Sequence, residues 1–145
     1  MLTVGDLMTT QLFTLLSSDS LYTARQIMEM ARVRHVPIVD GEDNYIGLIT
    51  HRDMLAVAVS KLSDIDPSTQ DELDAGIPLS EIMRTDTATV APETLLRDAA
   101  QTLLEHKYGC LPVLKGRRLV GIITEADFLR LTISLMDALE ERTAG

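Results

Sequence analysis

Tryptophan is absent from the sequence, and the chain contains only three tyrosines, two phenylalanines and one cysteine. So few aromatic side chains leave little material for the stacking surfaces that bind single-stranded nucleic acids. The single cysteine, Cys110, excludes an internal disulfide bond and a cysteine-rich zinc site. We expect it to be a reduced thiol packed in the interior, because free cysteines usually behave as small apolar residues.

Positive charge is also scarce. The 13 lysines and arginines are outnumbered by 22 aspartates and glutamates, which gives a net charge of −9 and an isoelectric point near 4.7. Proteins that bind nucleic acids neutralise phosphates with basic side chains. The charge balance therefore argues against nucleic acid as a partner.

Long apolar runs are missing as well. The longest covers residues 54–59, far short of the roughly 20 residues needed to cross a bilayer. The first ten residues include Asp6, contain no lysine or arginine and lack the apolar core of a secretory signal. With 46% hydrophobic residues the chain has the composition of a folded protein, and we expect it to be cytoplasmic, without direct membrane insertion.

The chain contains an internal repeat, which is its most informative feature. At a displacement of 75 residues the matches are Met8 with Met83, Thr14 with Thr89, Leu21 with Leu96, Ala24 with Ala99 and Pro37 with Pro112. Beyond a polar turn the displacement becomes 74, and Gly47 matches Gly121, Thr50 matches Thr124 and Asp53 matches Asp127. One slip inside a turn is what two copies of a fold tolerate, because loops absorb length changes more easily than packed elements.

Each copy predicts the order β-α-β-β-α, and thus the α+β fold class. Apolar residues spaced by three and four mark the first helices, namely Leu21, Ala24, Ile27, Met28 and Ala31, and then Leu96, Ala99, Ala100, Leu103 and Leu104. Strands are predicted at 12–16, 35–39 and 45–50, and again at 87–90, 110–114 and 119–124. The second helices are predicted at about 53–61 and 125–141.

The predicted organisation is a first repeat at 1–61, an acidic linker at 62–78 and a second repeat at 79–141. The linker is rich in Asp, Glu, Ser, Pro and Gly, a composition more typical of a solvated connection than of an acidic docking segment. A repeat of about 60 residues has a marginal core by itself. We therefore expect the two repeats to pack sheet to sheet with pseudo-two-fold symmetry, and neither to be stable alone.

Two duplicated motifs carry a family resemblance. Val-Pro-Ile-Val-Asp at 36–40 corresponds to Leu-Pro-Val-Leu at 111–114. Gly-Leu-Ile-Thr-His-Arg-Asp at 47–53 corresponds to Gly-Ile-Ile-Thr-Glu-Ala-Asp at 121–127. Over roughly residues 3 to 137 the chain resembles a tandem pair of cystathionine-β-synthase (CBS) domains, the Bateman module.

The resemblance implies an adenosyl ligand: AMP, ADP, ATP or S-adenosylmethionine. A helix that begins at Thr50 or Thr124 presents unpaired backbone N–H groups to a phosphate, and Asp53 or Asp127 can accept from the ribose hydroxyls. The adenine is expected between apolar strand residues such as Val36 and Leu111. The alternative is that the threonine and aspartate only cap the helix.

The first copy is expected to hold the main site. The predicted ligand-binding residues are Thr14, Arg34, His35, Val36, Pro37, Thr50, His51, Arg52 and Asp53 in that copy, and Leu111, Pro112, Thr124 and Asp127 in the other. The basic side chains of the first copy are Arg34, His35, His51 and Arg52. The second copy has Gly109, Cys110, Glu125 and Ala126 at the corresponding positions. Phosphate donors are therefore concentrated in the first copy, although each of the four could equally serve only as a solvated surface residue.

Catalysis is not expected. The three histidines, at 35, 51 and 106, lack metal-ligand spacing, and the chain contains neither Gly-x-Ser-x-Gly nor a Walker-type loop. We expect no catalytic residues, no metal site and no required cofactor. The predicted function is a regulatory sensor of adenine nucleotides that signals through the geometry of the CBS pair or its dimer, and the alternative is a ligand-free scaffold for dimerisation or partner docking.

The resemblance also implies a homodimer and a separate regulated enzyme or transporter. The predicted last helix carries more apolar surface than one packing face uses, at Leu129, Leu131, Ile133, Leu135, Met136 and Leu139. Met28 and Met30 of the first helix are expected to add to this surface. A longer intramolecular core is the alternative explanation.

Overall fold

A computed structural model describes residues 1–60, 67–107 and 109–144. The helices are α1 (Val4–Leu7), α2 (Leu21–Ala31), α3 (His51–Ser60), α4 (Pro67–Ala75), α5 (Leu96–Glu105) and α6 (Glu125–Ala144). The strands are β1 (Leu15–Leu16), β2 (His35–Val39), β3 (Tyr45–Thr50), β4 (Cys110–Lys115) and β5 (Arg118–Thr124). A short 3-10 turn covers Leu79–Glu81. The mixture of helices and small sheets confirms the α+β class.

Both predicted hairpins form. Strands β2 and β3 pair antiparallel, with His35 opposite Thr50 and Pro37 opposite Leu48, and β1 joins β2 in parallel. Strands β4 and β5 make a two-stranded sheet. The turn after β2 is closed by the Asp40 carboxylate, which accepts from the backbone N–H groups of Glu42 and Asn44, both at 2.9 Å.

The two predicted helical faces are buried in large part, although Leu104, predicted on the second face, is 80% exposed. Helix α2 begins after Ser20, whose hydroxyl accepts from the Thr23 N–H at 3.2 Å. It buries Leu21, Ala24 and Met28, and α5 buries Leu96, Ala99 and Leu103. The expectation that Met28 adds to an exposed apolar surface is wrong, because Met28 is 4% exposed in the core whereas Met30 is 84% exposed.

The first strand of each repeat is shorter than predicted. Strand β1 covers only Leu15–Leu16, and the Leu16 N–H, at its end, donates to the Asp19 side chain at 2.8 Å. In the second repeat, 87–90 is reduced to a single parallel bridge between Val90 and Val113.

The predicted linker contains a structural element. Residues 61–66, which include the end of the helix predicted at 53–61, lie outside the described part of the chain. The following segment forms α4, and its Asp74 is fully buried. The Asp74 carboxylate pairs with Arg25 of α2 at 2.5 Å and accepts from Gln70 at 2.8 Å. Most described side chains of α4 are exposed, as expected of a solvated connection, but Asp74 is not, because composition does not distinguish an acid that has a buried partner from one that faces water.

The chain divides into two compact units that exchange their opening segments. The first-repeat unit contains the described residues of 13–87 together with 116–119. The second-repeat unit contains residues 1–12, the described residues of 88–115, and those from Val120 onward. Residues 1–12 thus pack in the unit built around the second repeat, and 79–87 in the unit built around the first.

Each exchanged segment is held by a short backbone bridge beside a glycine. Arg84 and Leu48 exchange two N–H···O bonds of 2.8 and 2.9 Å, and Thr9 and Ile122 exchange two of 2.8 and 3.0 Å. A Cβ at the neighbouring Gly47 would lie 2.7 Å from the sulfur of Met83 and 3.0 Å from the Arg84 carbonyl oxygen. The close approach of the two backbones therefore requires glycine at this position.

The variant Gly47→Ala is expected to lower the free energy of unfolding by about 1–3 kcal/mol, because the added methyl group overpacks the bridge. Chemical denaturation measures the change. Gly41→Ala is the control: nothing lies within 4 Å of a Cβ built at Gly41, so its stability should stay close to that of the unmodified protein. Equal stability of the two variants would show that the bridge tolerates displacement.

Candidate functional site

The first candidate site is the junction of β3 and α3. Strand β3 ends at Thr50, which is 5% exposed, and α3 begins at the next residue. The Asp53 N–H donates to the Thr50 hydroxyl oxygen at 3.1 Å, and the Thr50 N–H donates to the Asp53 carboxylate at 3.2 Å. The capping role considered above is thus present, because this reciprocal pair satisfies donors at the start of the helix.

Sequence analysis missed the strongest partner of Asp53. The Arg84 guanidinium binds the carboxylate with Nε at 3.0 and 3.1 Å from its two oxygens and Nη2 at 2.7 Å from Oδ1. The Asp53 side chain is 13% exposed and that of Arg84 39%. The repeat alignment contains one signal for Arg84. It follows Met83 at the position where Thr9 follows Met8, so the two repeats differ there by a basic side chain.

The second junction, between β5 and α6, is built in the same way with different partners. The Asp127 carboxylate accepts from the Thr124 N–H at 2.8 Å and from the Thr9 hydroxyl at 3.3 Å. Arg130, one turn along the same helix, donates to Asp127 at 2.6 Å, but its side chain is 68% exposed. At this junction the exchanged segment contributes a neutral hydroxyl where the first junction receives a cation.

The four basic residues predicted at the first site are only partly brought together. Arg34 and His51 both line a cavity of about 550 Å³ in the first-repeat unit. Their backbones are also joined, since the backbone N–H of His51 donates to the Arg34 carbonyl oxygen at 2.8 Å. Arg52 is exposed on α3 and outside the cavity lining, and His35 is partly buried opposite Thr50. Thr50 and Asp53 themselves are not among the described lining residues.

The predicted apolar contacts lie deep. Val36 and Leu111 are fully buried, each in the core of its own unit, and the adjoining Pro37 and Pro112 are buried too. The side chains expected to contact adenine therefore pack inside the protein. Thr14 and Thr124 are partly exposed.

Cys110 is a packed thiol, as predicted. It is 1% exposed at the start of β4. Burial, together with the charge of the nearby Glu125 carboxylate, raises the pKa of the Cys110 thiol to about 12. The thiol is therefore protonated at neutral pH, a state in which cysteine is neither nucleophile nor metal ligand.

Metal-ligand clusters and membrane-spanning helices are both absent from the part of the chain that the structure describes. No group of three or more histidine, cysteine, aspartate or glutamate side chains there is arranged to hold a metal ion. Of the helices in the described ranges, none has the length and hydropathy needed to span a bilayer.

Comparison with known proteins gives a consistent picture. The family model for the CBS domain matches residues 4–60 and 79–134. A Vibrio cholerae structure provisionally described as an acetoin utilization protein (AcuB) is 40% identical, with a TM-score of 0.81 and 97% of each chain covered.

Two other solved structures contain adenosyl ligands. CBSX2, a CBS-pair protein from Arabidopsis thaliana, was solved with AMP; it is 27% identical, with a TM-score of 0.77 over 92% of this chain and 98% of that one. The CBS domain pair of MJ0100 was solved with 5′-methylthioadenosine and S-adenosyl-L-methionine; it is 25% identical, with a TM-score of 0.75 over 92% and 97%.

Curated relatives are longer proteins. Inosine-5′-monophosphate dehydrogenase from Staphylococcus aureus is 32% identical over 117 residues, which cover 79% of this chain and 21% of the enzyme. A Methanocaldococcus jannaschii protein, MJ1404, is 29% identical over 91% of this chain and 32% of its own length. The chain thus spans less than half the length of these relatives.

Proposed function

The chain belongs to the CBS domain family, and from that membership we propose that it is a non-catalytic regulatory module that binds an adenine nucleotide or another adenosyl ligand. The observation that carries the proposal is the duplicated Thr-x-x-Asp junction, in which a strand end, a helix start and a carboxylate meet twice. Solved relatives support it, since one holds AMP and another holds S-adenosyl-L-methionine.

We assign the main site to the first junction. The start of α3 supplies backbone N–H groups for a phosphate, and the ribose hydroxyls are accepted by Asp53. Further phosphate donors come from the basic group made up of Arg34, His35, His51 and Arg52. The second site consists of Thr124 and Asp127, where Glu125 adds a like charge near the anion. Thr14 adds a partly exposed hydroxyl to this set, whereas Val36, Pro37, Leu111 and Pro112 are buried inside their own units and are not assigned to the ligand.

Occupancy is proposed to act through the geometry of the CBS pair or of a dimer. The proposed setting is the cytoplasm, and the proposed target is a separate enzyme or transporter. A ligand that binds one geometry more tightly than another shifts the equilibrium by its difference in affinity. No chemical step at the ligand is needed for this output.

A thermal-shift panel tests the proposal. AMP, ADP, ATP and S-adenosylmethionine are compared with GTP, in protein shown to be free of carried-over ligand. A ligand present at about 100 times its dissociation constant adds about 2.7 kcal/mol to stability, so at least one adenosyl compound should raise the melting temperature clearly. If none of them does, the ligand-free scaffold is the better description.

The dimer proposed here rests on helix α6. It buries Phe128 and Leu131 partly against the core of the second-repeat unit, so Leu131 does not belong to the free surface predicted above. Five large apolar side chains remain between 56% and 64% exposed, namely Leu129, Ile133, Leu135, Met136 and Leu139. An apolar surface of this kind on one helix is typical of a protein–protein contact.

Light scattering at micromolar concentration is expected to give about twice the chain mass of 16.0 kDa. Ile133→Glu should shift the protein to the monomer mass, because it places a charge in the apolar surface. Ile133→Val, which keeps the surface apolar, should stay dimeric. A monomer mass for the unmodified protein would contradict the proposal.

A further inference from the structure

The cavity of about 550 Å³ in the first-repeat unit is lined by residues of α2, α3 and α4. Its apolar lining consists of Met28 and Met54, which are buried, and of Val33 and Leu55, which are more exposed. Small-molecule sites commonly measure about 300–1,000 Å³ and combine an apolar lining with a few polar groups. Methionine side chains also adapt to irregular apolar shapes. The cavity therefore has the size and the lining to hold the apolar part of a small organic molecule.

The polar part of the lining carries a net positive charge. Arg25, Arg32 and Arg34 contribute guanidinium groups, and Glu29 contributes one carboxylate. Arg25 is already paired with Asp74 at 2.5 Å. Within the described ranges, neither Arg32 nor Arg34 has an ion-pair partner. Two cations are thus open to an anionic ligand here, in a protein whose overall charge is −9.

Arg32 has an uncommon backbone conformation. It ends helix α2 in the left-handed region, with φ 55° and ψ 39°. Residues other than glycine are uncommon in this region, although asparagine adopts it at a lower cost than most. An arginine is thus kept in a strained conformation at a position that lines the cavity. The substitution Arg32→Asn removes the charge and does not add backbone strain.

The cavity lies on the other side of α3 from Asp53. His51, Met54 and Leu55 line it, and Asp53 does not. Because each helical residue turns the chain by about 100°, Asp53 lies about 200° around the axis from both His51 and Leu55. The Asp53 carboxylate is instead bound by Arg84 of the exchanged segment. A ligand in the cavity and a ligand at Asp53 therefore contact different faces of α3.

We propose that this cavity is a second ligand site, which binds a small organic acid with an apolar chain. The carboxylate accepts charge-assisted hydrogen bonds from Arg32 and Arg34, and the chain lies against Met28 and Met54. The inference goes beyond the proposed function, because both the ligand and the cavity differ from those at Asp53. Arg34 is also among the phosphate donors proposed there, so the test uses residues that belong to the cavity alone.

The test measures affinity by NMR titration of the full chain, with octanoate, acetate and octan-1-ol as the three probes. Octanoate has both the charge and the apolar chain, acetate has only the charge, and octan-1-ol has only the chain. Octanoate is expected to bind at least about tenfold more tightly than either of the others, because it alone uses both the cations and the apolar lining.

Two substitutions of opposite sign locate the anion. Arg32→Asn should weaken octanoate binding about tenfold, because it removes a charged donor. Glu29→Gln removes the carboxylate of the lining and should tighten octanoate binding by about two- to fivefold. Neither should change the affinity for octan-1-ol, whereas a general loss of structure would weaken both probes. Arg97→Asn, at an exposed position on α5, is the control for net charge and should leave octanoate binding unchanged.

The outcomes separate this proposal from the proposed function. If octanoate does not bind, or binds equally to the Arg32 and Glu29 variants, the cavity proposal is wrong. If AMP displaces octanoate competitively, the cavity belongs to the nucleotide site and a second site is wrong. Simultaneous binding of AMP and octanoate supports both proposals. Whether an adenosyl ligand binds at all is decided independently, by the thermal-shift panel.

Discussion

Replacing Asp53 with alanine is expected to weaken AMP binding by about 5- to 150-fold. The substitution leaves two ribose hydroxyls without their acceptor, a loss of about 1–3 kcal/mol. Calorimetry on the unmodified protein and on the variant gives the two affinities.

The matched control is the equivalent change in the second repeat. Asp127→Ala also removes the carboxylate that caps a helix at a Thr-x-x-Asp junction, so it tests for a general effect of losing the cap. It is expected to keep most of the AMP affinity, because the basic residues lie at the first junction. If Asp127→Ala is the more damaging change, the main site belongs to the second repeat.

Arg25→Ala is expected to cause a large loss of stability, about 3–5 kcal/mol in the free energy of unfolding. Its partner Asp74 is fully buried, and removal of one member of a buried ion pair leaves the other charge in a medium that solvates it poorly. Asp74→Ala should cost less, because the Arg25 side chain left behind is 24% exposed and regains water. Denaturant titration with both variants measures the difference.

An exposed ion pair provides the reference. Arg97 and Asp98 lie 3.6 Å apart with side chains 83% and 56% exposed. Arg97→Ala should change stability by no more than about 0.5 kcal/mol. If Arg25→Ala is as mild as Arg97→Ala, the contact between α2 and α4 contributes little, and the segment after the first repeat behaves as the solvated linker that its composition predicted.

Composition did not reveal the buried environment of Asp74, for a physical reason. An acidic stretch is solvated when its charges face water, but the spacing of its residues does not reveal a cation supplied from another helix. Asp74 meets Arg25 only after α4 packs on α2. The sequence predicted the charge correctly and its environment wrongly.

Local patterns were enough for the elements themselves. Helix α2 and hairpin β2–β3 form where apolar spacing and the polar turn place them. The internal repeat extended these predictions to the second half of the chain, because Thr50 and Asp53 recur as Thr124 and Asp127 with the same capping geometry. These features depend on residues within one or two turns of each other, which is the range over which propensity and periodicity act.

The sequence by itself therefore determined the repeat, the α+β elements and the two aspartates of the candidate sites. Only the tertiary structure decided what those aspartates contact. Arg84 reaches Asp53, and Thr9 reaches Asp127, because the segments that open the two repeats change places between the compact units. Such an exchange depends on packing between residues far apart in the chain, and a glycine such as Gly47 marks the close approach only once the neighbouring backbone is known.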